Sequence, residues 1–138
     1  MNAENKKRGE PLVSIVDDDP SVRSSTRRLL RCSGMRADAF ASAEDFLQSG
    51  HMEETGCLLL DVSMPGIGGL ELQRHLAETG RLIPIVFLSA RASEEEERRA
   101  LQAGAAGFLR KPVSKEDLLN AIHAVLKGPA NNQQKDSL

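Results

Sequence analysis

The sequence lacks the features that mark membrane-bound, secreted and nucleic-acid-binding chains. No apolar run is long enough to span a bilayer, and residues 1–11 are polar and do not resemble a targeting peptide. The 18 basic and 20 acidic side chains leave a net charge of −2, which gives no electrostatic basis for binding nucleic acid. The two cysteines, Cys32 and Cys57, are expected to be reduced, packed thiols. We therefore expect a cytoplasmic protein with no membrane partner and no direct nucleic-acid partner.

Length and composition predict one globular domain. The chain has 138 residues, of which 40% are hydrophobic and 28% charged, which suits a single core. The predicted division is a disordered leader over residues 1–10, a folded domain over 11–127, and a polar tail or linker over 128–138.

Short apolar runs alternate with segments of helical pattern along the folded part. The predicted strands cover residues 12–16, 35–40, 57–61, 83–88 and 107–110. A helical segment follows each of them. This alternation predicts an α/β fold: a doubly wound, five-stranded parallel sheet with five helices, in the flavodoxin-like strand order 2-1-3-4-5.

The last two predicted helices carry distinct signals. Ser93 followed by Glu96 has the form of a capping box that opens the fourth helix. Gly128 with Pro129 is expected to end the fifth helix. The fourth helix has few apolar side chains to bury, so we expect it to be held weakly. Those side chains belong to Ala100, Leu101 and Ala103.

The most informative stretch is residues 58–66, where an apolar run ends on Asp61 and a Pro-Gly turn follows. Ligands of open α/β sheets bind at the carboxyl ends of the strands. In the predicted strand order, four strand ends deliver polar residues to one rim. These residues are Asp17, Asp18, Asp61, Ser89 and Lys111.

Three carboxylates at one rim repel one another unless a hard cation such as Mg²⁺ offsets their charge. With such a cation and Lys111 neutralising oxygens, and Ser89 donating a hydrogen bond, Asp61 is able to accept a phosphoryl group. Taken singly, residues 17–19 could merely cap a helix, and residues 111–112 could merely form a turn. Their joint placement at successive strand ends favours phosphoryl chemistry.

Four motifs give the chain a resemblance to a known family. They are Val-Asp-Asp at 16–18, Leu-Asp-Val-Ser-Met-Pro-Gly at 60–66, Phe-Leu-Ser-Ala at 87–90 and Phe-Leu-Arg-Lys-Pro at 108–112. With them, residues 11–127 resemble the receiver domain of two-component response regulators, and look most like receivers that carry a helix-turn-helix output. The resemblance implies a phosphorylation-activated signalling switch served by a sensor histidine kinase or a histidine phosphotransfer protein.

The resemblance implies a phosphoacceptor and a metal site. Asp61 would receive the phosphoryl group, and the cofactor would be Mg²⁺ or Mn²⁺. Its ligands would be Asp17, Asp18, Asp61 and the backbone carbonyl of Ser63.

The resemblance also implies a set of switch residues. Ser89 and Lys111 would stabilise the phosphoryl group and act as the switch pair. Phe108 would be the switch aromatic, although many relatives have Tyr at this position. Ala90 and Pro112 belong to the adjoining loops, and the Lys111–Pro112 peptide bond is expected to be cis.

We predict that phosphorylation changes the face formed by helix four, strand five and helix five, because Ser89 precedes the loop into the weakly held helix. Self-association is predicted at that face, which would control a partner or an output domain. A partner on helix one is the alternative route for the signal. The chain would not be an enzyme beyond catalysing its own phosphorylation and dephosphorylation.

Two other classes of function fit these residues less well than the receiver. A phosphatase of the haloacid dehalogenase type also uses a strand-end Asp, but it needs a second Asp where Ser63 stands. A dinucleotide-binding loop would need a third glycine where Glu71 stands. The three histidines lie in separate predicted elements and are interpreted as surface or packing residues; they are His51, His75 and His123.

Overall fold

A computed structural model of the protein describes residues 10–137. Over that range, five strands alternate with five helices. The strands are β1 (Leu12–Val16), β2 (Arg36–Phe40), β3 (Thr55–Leu60), β4 (Ile85–Ser89) and β5 (Gly107–Arg110). The helices are α1 (Pro20–Cys32), α2 (Ala43–Gln48), α3 (Gly69–Glu78), α4 (Glu94–Gln102) and α5 (Lys115–Ser137).

The strands form one parallel sheet in the order β2-β1-β3-β4-β5, so the predicted fold class is confirmed. Successive strand residues point to opposite faces, and each face has its own apolar cluster. One cluster joins Leu58, Leu60 and Phe87 to helices α2, α3 and α4. The other joins Ile15 and Leu59 to α1 and α5. Helices therefore cover both faces, and the carboxyl ends of the strands form the rim where loops open.

The two cysteines differ in their surroundings. Cys57 lies on β3 and is buried, and burial raises the pKa of its thiol to about 12. Cys32 is a free thiol at the end of α1 and is exposed, so the expectation that it is packed is wrong. The reason is its place on the helix, two residues after Leu30, the last buried side chain of α1, which turns it about 200° away.

Helix α4 begins as predicted and is held even more weakly than predicted. Ser93 caps it: its hydroxyl accepts a hydrogen bond from the Glu96 amide at 3.1 Å, and the Glu96 carboxylate accepts one from the Ser93 amide at 2.9 Å. Ala100 is fully buried, whereas Leu101 is 46% exposed and Ala103 is exposed. Two of the three expected apolar anchors are therefore exposed. Leu101 follows Ala100 by about 100° around the helix, and Ala103 lies just beyond its last residue, Gln102.

Helix α5 is longer than predicted. It runs from Lys115 to Ser137, although the sequence predicts an end at Gly128 with Pro129. The helix continues through Gly128 and Pro129 although a proline removes one backbone donor and crowds the carbonyl four residues earlier, and nothing in the local sequence explains this. The helix boundary is therefore corrected, while a linker role for residues 128–138 stays a prediction.

Two further expectations concern the chain ends and membranes. The predicted disordered leader, residues 1–10, lies outside the described residues except for Glu10. Among the helices of residues 10–137, none combines the length and the apolar character that crossing a bilayer requires.

Candidate functional site

Asp17 follows β1 directly and is buried at the rim. Its Oδ1 accepts a hydrogen bond from the Asp19 amide at 2.9 Å, and its backbone carbonyl accepts one from Arg23 Nη1 at 2.8 Å. Asp19 in turn caps α1 by accepting from the Ser21 amide at 2.9 Å, as its position before Pro20 predicts. The start of α1 therefore fixes the loop that carries Asp17, and leaves Asp18 exposed toward the site.

Asp61 follows β3 and lies next to Asp17. Its amide donates to the Val16 carbonyl at 3.1 Å, and its Oδ1 accepts from the Ser63 amide at 3.2 Å. Helix α3 packs directly on this backbone, because a Cβ at Gly69 would lie 2.3 Å from the Asp61 carbonyl oxygen. Only glycine permits that approach without movement, so Gly69 fixes the backbone on which Asp61 stands.

The three predicted carboxylates converge. One oxygen from each of Asp17, Asp18 and Asp61 lies within 4.8 Å of the others, although Asp18 is exposed and the other two are buried. Carboxylate oxygens at this spacing are suitable ligands for a hard divalent cation such as Mg²⁺. Ser63 lines the same cavity. The donor set therefore fits the predicted metal, and the role of the Ser63 carbonyl stays a prediction.

Lys111 reaches back from the end of β5 into this group. Its Nζ lies 2.7 Å from Asp17 Oδ2 and 3.6 Å from Asp61 Oδ2, and its side chain is 19% exposed. The Lys111–Pro112 bond is cis, as predicted, and the Lys111 amide donates to the Ser89 carbonyl at 2.9 Å. The lysine ammonium is thus placed between two carboxylates.

The pKa of two site groups is shifted. Burial raises the pKa of the Asp61 carboxyl, and the charges of Asp17 and Asp18 raise it further, against the opposing effects of Lys111 and the Ser63 amide. Burial alone would lower the pKa of Lys111, but its hydrogen bond to Asp17 and the charges of Asp61 and Asp17 outweigh burial and raise it. Lys111 is therefore a fixed positive charge, and a nearby cation would stabilise the charged form of Asp61.

Ser89 ends β4 on the other side of Asp61. It is buried, and its Oγ accepts hydrogen bonds from the Arg91 amide at 3.3 Å and the Ala92 amide at 3.1 Å. Ala90 lines the cavity together with Ser89, and Pro112 lies just outside it next to Lys111. The hydroxyl is therefore engaged with the loop that leads into α4.

Phe108 lies further along the β4–β5 edge, away from the carboxylates. Its ring is half-buried, with a centroid 5.7 Å from that of Phe87. The guanidinium carbon of Arg110 lies 5.5 Å from the Phe108 ring centroid. The structure therefore places Phe108 under Arg110, beside α4 but outside the carboxylate cluster.

The structure adds three residues that sequence reasoning missed at this rim. Arg91 lines the cavity, Arg23 holds the Asp17 carbonyl, and Gly69 supports Asp61. Arg23 lies near the start of α1. No local pattern distinguishes it from the other arginines of that helix.

Comparison with known proteins gives one consistent family. The family model described as response regulator receiver domain matches residues 13–123. Response regulator protein TmoT of Ectopseudomonas mendocina is 44% identical over 118 residues, which cover 86% of this chain and 54% of TmoT. Transcriptional regulatory protein TdiR of Thauera aromatica is 42% identical, with 83% and 50% covered. The chain thus spans about half the length of the curated relatives it matches.

Solved structures agree with this match. The response regulator StyR has a TM-score of 0.81 and 42% identity, with 94% of this chain and 65% of the StyR chain covered. FixJ-N has a TM-score of 0.79 and 30% identity, with 86% of this chain and 95% of FixJ-N covered. The comparisons give no support to the alternative of a haloacid dehalogenase phosphatase.

Proposed function

Because this chain belongs to the response regulator receiver domain family, a phosphorylation-activated switch of two-component systems, we propose that Asp61 is its phosphoacceptor. The phosphoryl donor is a histidine kinase or a histidine phosphotransfer protein. The observation that carries the assignment is Lys111 Nζ, which lies within 3.6 Å of both Asp17 and Asp61 where three carboxylates converge. Asp17 is also buried at a strand end beside this lysine, but both of its carboxylate oxygens already accept hydrogen bonds, from the Asp19 amide and from Lys111. The Asp61 side chain is the more accessible of the two, at 12% exposed against 3%.

The transfer is a displacement at phosphorus. A carboxylate oxygen of Asp61 forms the new P–O bond while the bond between phosphorus and the donor's histidine nitrogen breaks. The bonding pair of electrons stays with the imidazole. Asp61 is oriented for this step by the Ser63 amide, which holds its Oδ1 at 3.2 Å. Water later attacks the same phosphorus, the bond from phosphorus to the Asp61 oxygen breaks, and inorganic phosphate leaves the restored carboxylate. The chain therefore catalyses only its own phosphorylation and dephosphorylation.

The neighbouring residues offset charge at the transferring group. Asp17, Asp18, Asp61 and the Ser63 carbonyl would hold Mg²⁺ or Mn²⁺, which when bound supplies positive charge for the phosphoryl oxygens. Lys111 pairs with one phosphoryl oxygen, and the Ser89 hydroxyl donates a hydrogen bond to another. The raised pKa of Lys111 keeps it protonated for this role.

The output follows from the position of Ser89. When its hydroxyl bonds to the phosphoryl group, the loop to α4 moves, Phe108 turns inward, and the face formed by α4, β5 and α5 changes and self-associates. One relative is named a transcriptional regulatory protein, and by analogy an output domain of the whole protein would read this change. This segment itself contacts neither nucleic acid nor membrane, and the protein acts in the cytoplasm.

The phosphoacceptor is tested with acetyl phosphate and Mg²⁺. Intact-mass spectrometry should show one added phosphate on the wild type and none on Asp61→Asn. Asp45→Asn is the matched control, because Asp45 is a carboxylate in the exposed first turn of α2. Undiminished labelling of Asp61→Asn would refute the assignment, and so would labelling of the wild type that persists when EDTA removes all divalent cations.

The output face is tested by size-exclusion chromatography with and without beryllofluoride, a phosphoryl mimic. The wild type should shift to a dimer with the mimic. Ala103→Glu adds a charge on the exposed end of α4 and should prevent the shift. A wild type that stays monomeric with the mimic bound would exclude self-association.

A further inference from the structure

Arg110, the last residue of β5, is bound to three parts of the molecule that the proposed switch involves. Its Nη1 donates to the Ala92 carbonyl at 2.6 Å, and its Nη2 donates to Glu97 Oε1 at 2.7 Å. Its guanidinium also lies over the Phe108 ring, 5.5 Å from the centroid. One side chain thus connects β5 with the β4–α4 loop, with α4 and with the aromatic ring.

Both backbone polar groups of Ala92 are hydrogen-bonded to side chains. Its amide donates to the Ser89 hydroxyl at 3.1 Å, while its carbonyl accepts from Arg110. Ala92 is itself buried in the cluster beneath α4. Any displacement of the Ser89 hydroxyl toward Asp61 must either carry Ala92 with it or break the Ser89–Ala92 hydrogen bond. Arg110 holds the same residue from the opposite side.

Few other contacts hold this part of the molecule in place. Helix α4 buries Ala100 alone among its nine residues. One further tie is the Gln73 side-chain amide, which donates to the Ala100 carbonyl at 3.0 Å at the far end of the helix. Near the start of α4, the cross-element polar contacts are those that Arg110 makes with Ala92 and Glu97. Arg110 therefore has a large share in fixing the amino-terminal half of α4.

We propose that Arg110 is a clamp that stabilises the resting position of the β4–α4 loop and opposes phosphorylation-induced switching. This inference rests on the proposed function of Asp61 and Ser89. In the resting protein the clamp holds Ala92 and Glu97 against β5. In the phosphorylated protein the loop and the start of α4 follow Ser89, and Arg110 loses its bonds to both Ala92 and Glu97. The clamp thus acts only on one of the two states, which is what a ligand-coupled equilibrium requires.

The clamp has a defined thermodynamic consequence. If the resting state predominates, the apparent dissociation constant for a phosphoryl mimic equals the intrinsic constant divided by the fraction of switched protein. Weakening contacts that exist only in the resting state raises that fraction and tightens apparent binding. Arg110 and Glu97 are 43% and 34% exposed at their side chains, so solvent screens their pairing and the expected effect is modest.

The test measures the apparent affinity for beryllofluoride in the presence of Mg²⁺, with binding monitored by ¹⁹F NMR. Arg110→Gln should bind about threefold to tenfold more tightly than the wild type, because a charge-assisted contact to Ala92 is lost from the resting state only. Arg110→Lys keeps the charge but cannot form the two-pronged contact, and should lie in between. Glu97→Gln, which weakens only the second contact, should tighten binding by a factor of about two.

Arg98→Gln is the matched control. Arg98 is also an arginine of this region, but it pairs with Glu95 and Gln102 within α4 and connects no second element. The affinity of the Arg98→Gln protein for beryllofluoride should equal that of the wild type. In the absence of mimic, amide exchange over residues 91–97 should be faster in Arg110→Gln and unchanged in Arg98→Gln.

The outcomes separate the clamp from the function on which it rests. If no variant, including the wild type, binds beryllofluoride, the proposed function fails and the clamp fails with it. If the wild type binds and Arg110→Gln binds equally or less tightly, only the clamp is overturned. Should Arg110→Gln not fold, Glu97→Gln decides, since it replaces one half-exposed carboxylate and leaves the other contacts of Arg110 in place.

Discussion

The rim around Asp61 and the edge around α4 are built in opposite ways. At the rim, Asp17 and Asp61 are buried, follow two central strands and are held by amides of their own loops. At the edge, α4 buries Ala100 and exposes Leu101 by 46%, and its start is tied by polar contacts that solvent reaches. The contrast suggests a rigid site that receives a signal and a loosely held helix that passes it on. Regions of a protein that bury few apolar side chains open locally at a lower free energy than regions that bury many.

The largest effect should come from matched leucine truncations in the two regions. Leu60 on β3 is fully buried next to Asp61, so Leu60→Ala should lower the free energy of unfolding by about 2–5 kcal/mol. Leu101→Ala on α4 should change it by no more than about 0.5 kcal/mol. Urea titration followed by circular dichroism measures both, and equal losses would remove the contrast.

A smaller effect is expected for alanine in place of two glycines. Gly69→Ala places a Cβ 2.3 Å from the Asp61 carbonyl oxygen, so the backbone must shift at a cost of about 1–3 kcal/mol. The rate of labelling by acetyl phosphate should fall with it. On the edge strand β5, a Cβ at Gly107 would lie 3.7 Å from its nearest neighbour, a methyl carbon of Val86, so Gly107→Ala should retain the wild-type rate. A Gly69→Ala protein with wild-type stability and labelling would show that the rim tolerates movement.

Mg²⁺ should raise the free energy of unfolding by an amount comparable to, or smaller than, the cost of Gly69→Ala. At a concentration ten times its dissociation constant, a ligand specific for the folded state adds about 1.4 kcal/mol. Differential scanning calorimetry suits this chain, which has no Trp or Tyr. Asp18→Asn removes one of the three converging carboxylates and should weaken the stabilisation, whereas Asp38→Asn on β2, which pairs with Arg31, should not. An equal response in both variants would contradict the assigned metal site.

The smallest effect concerns pH in the absence of divalent cations. The pKa of Asp61 is raised in the folded state, mainly by burial, so folding favours its protonated form. The contribution of this group to stability is therefore complete below its unfolded pKa and is lost as pH rises through its folded pKa. Asp61→Asn should have the higher melting temperature at neutral pH, and the difference should shrink toward pH 4. A difference independent of pH would show that burial does not penalise this carboxylate.

The arrangement of the rim could be predicted from the sequence because parallel strands must end at the same edge. Asp61 and Lys111 are separated by 50 positions in the chain, yet both can be identified as strand ends: Asp61 follows an apolar run directly, and Lys111 follows the short strand that ends at Arg110. The cis bond before Pro112 followed from the same argument together with the family resemblance. Periodicity and strand order were sufficient there, since the sheet fixes the directions of these side chains.

The edge could not be predicted in the same way. Residue type suggested that Leu101 is an anchor, but exposure depends on how α4 lies across β5, which no local pattern encodes. The contacts of Arg110 with Ala92 and Glu97 likewise join positions 13 to 18 residues apart through packing. The end of α5 is a further difference, because Gly128 and Pro129 are typical stop signals and the helix nevertheless runs through them.

The central claim is that the rim stays fixed while the α4 edge moves. Amide hydrogen exchange with and without beryllofluoride and Mg²⁺ tests it most directly. We predict altered exchange over residues 90–102 and 107–110, and unaltered exchange in β1 and β3 apart from the loops that touch the mimic. A change confined to α1 and α5, or spread evenly over the sheet, would contradict the claim.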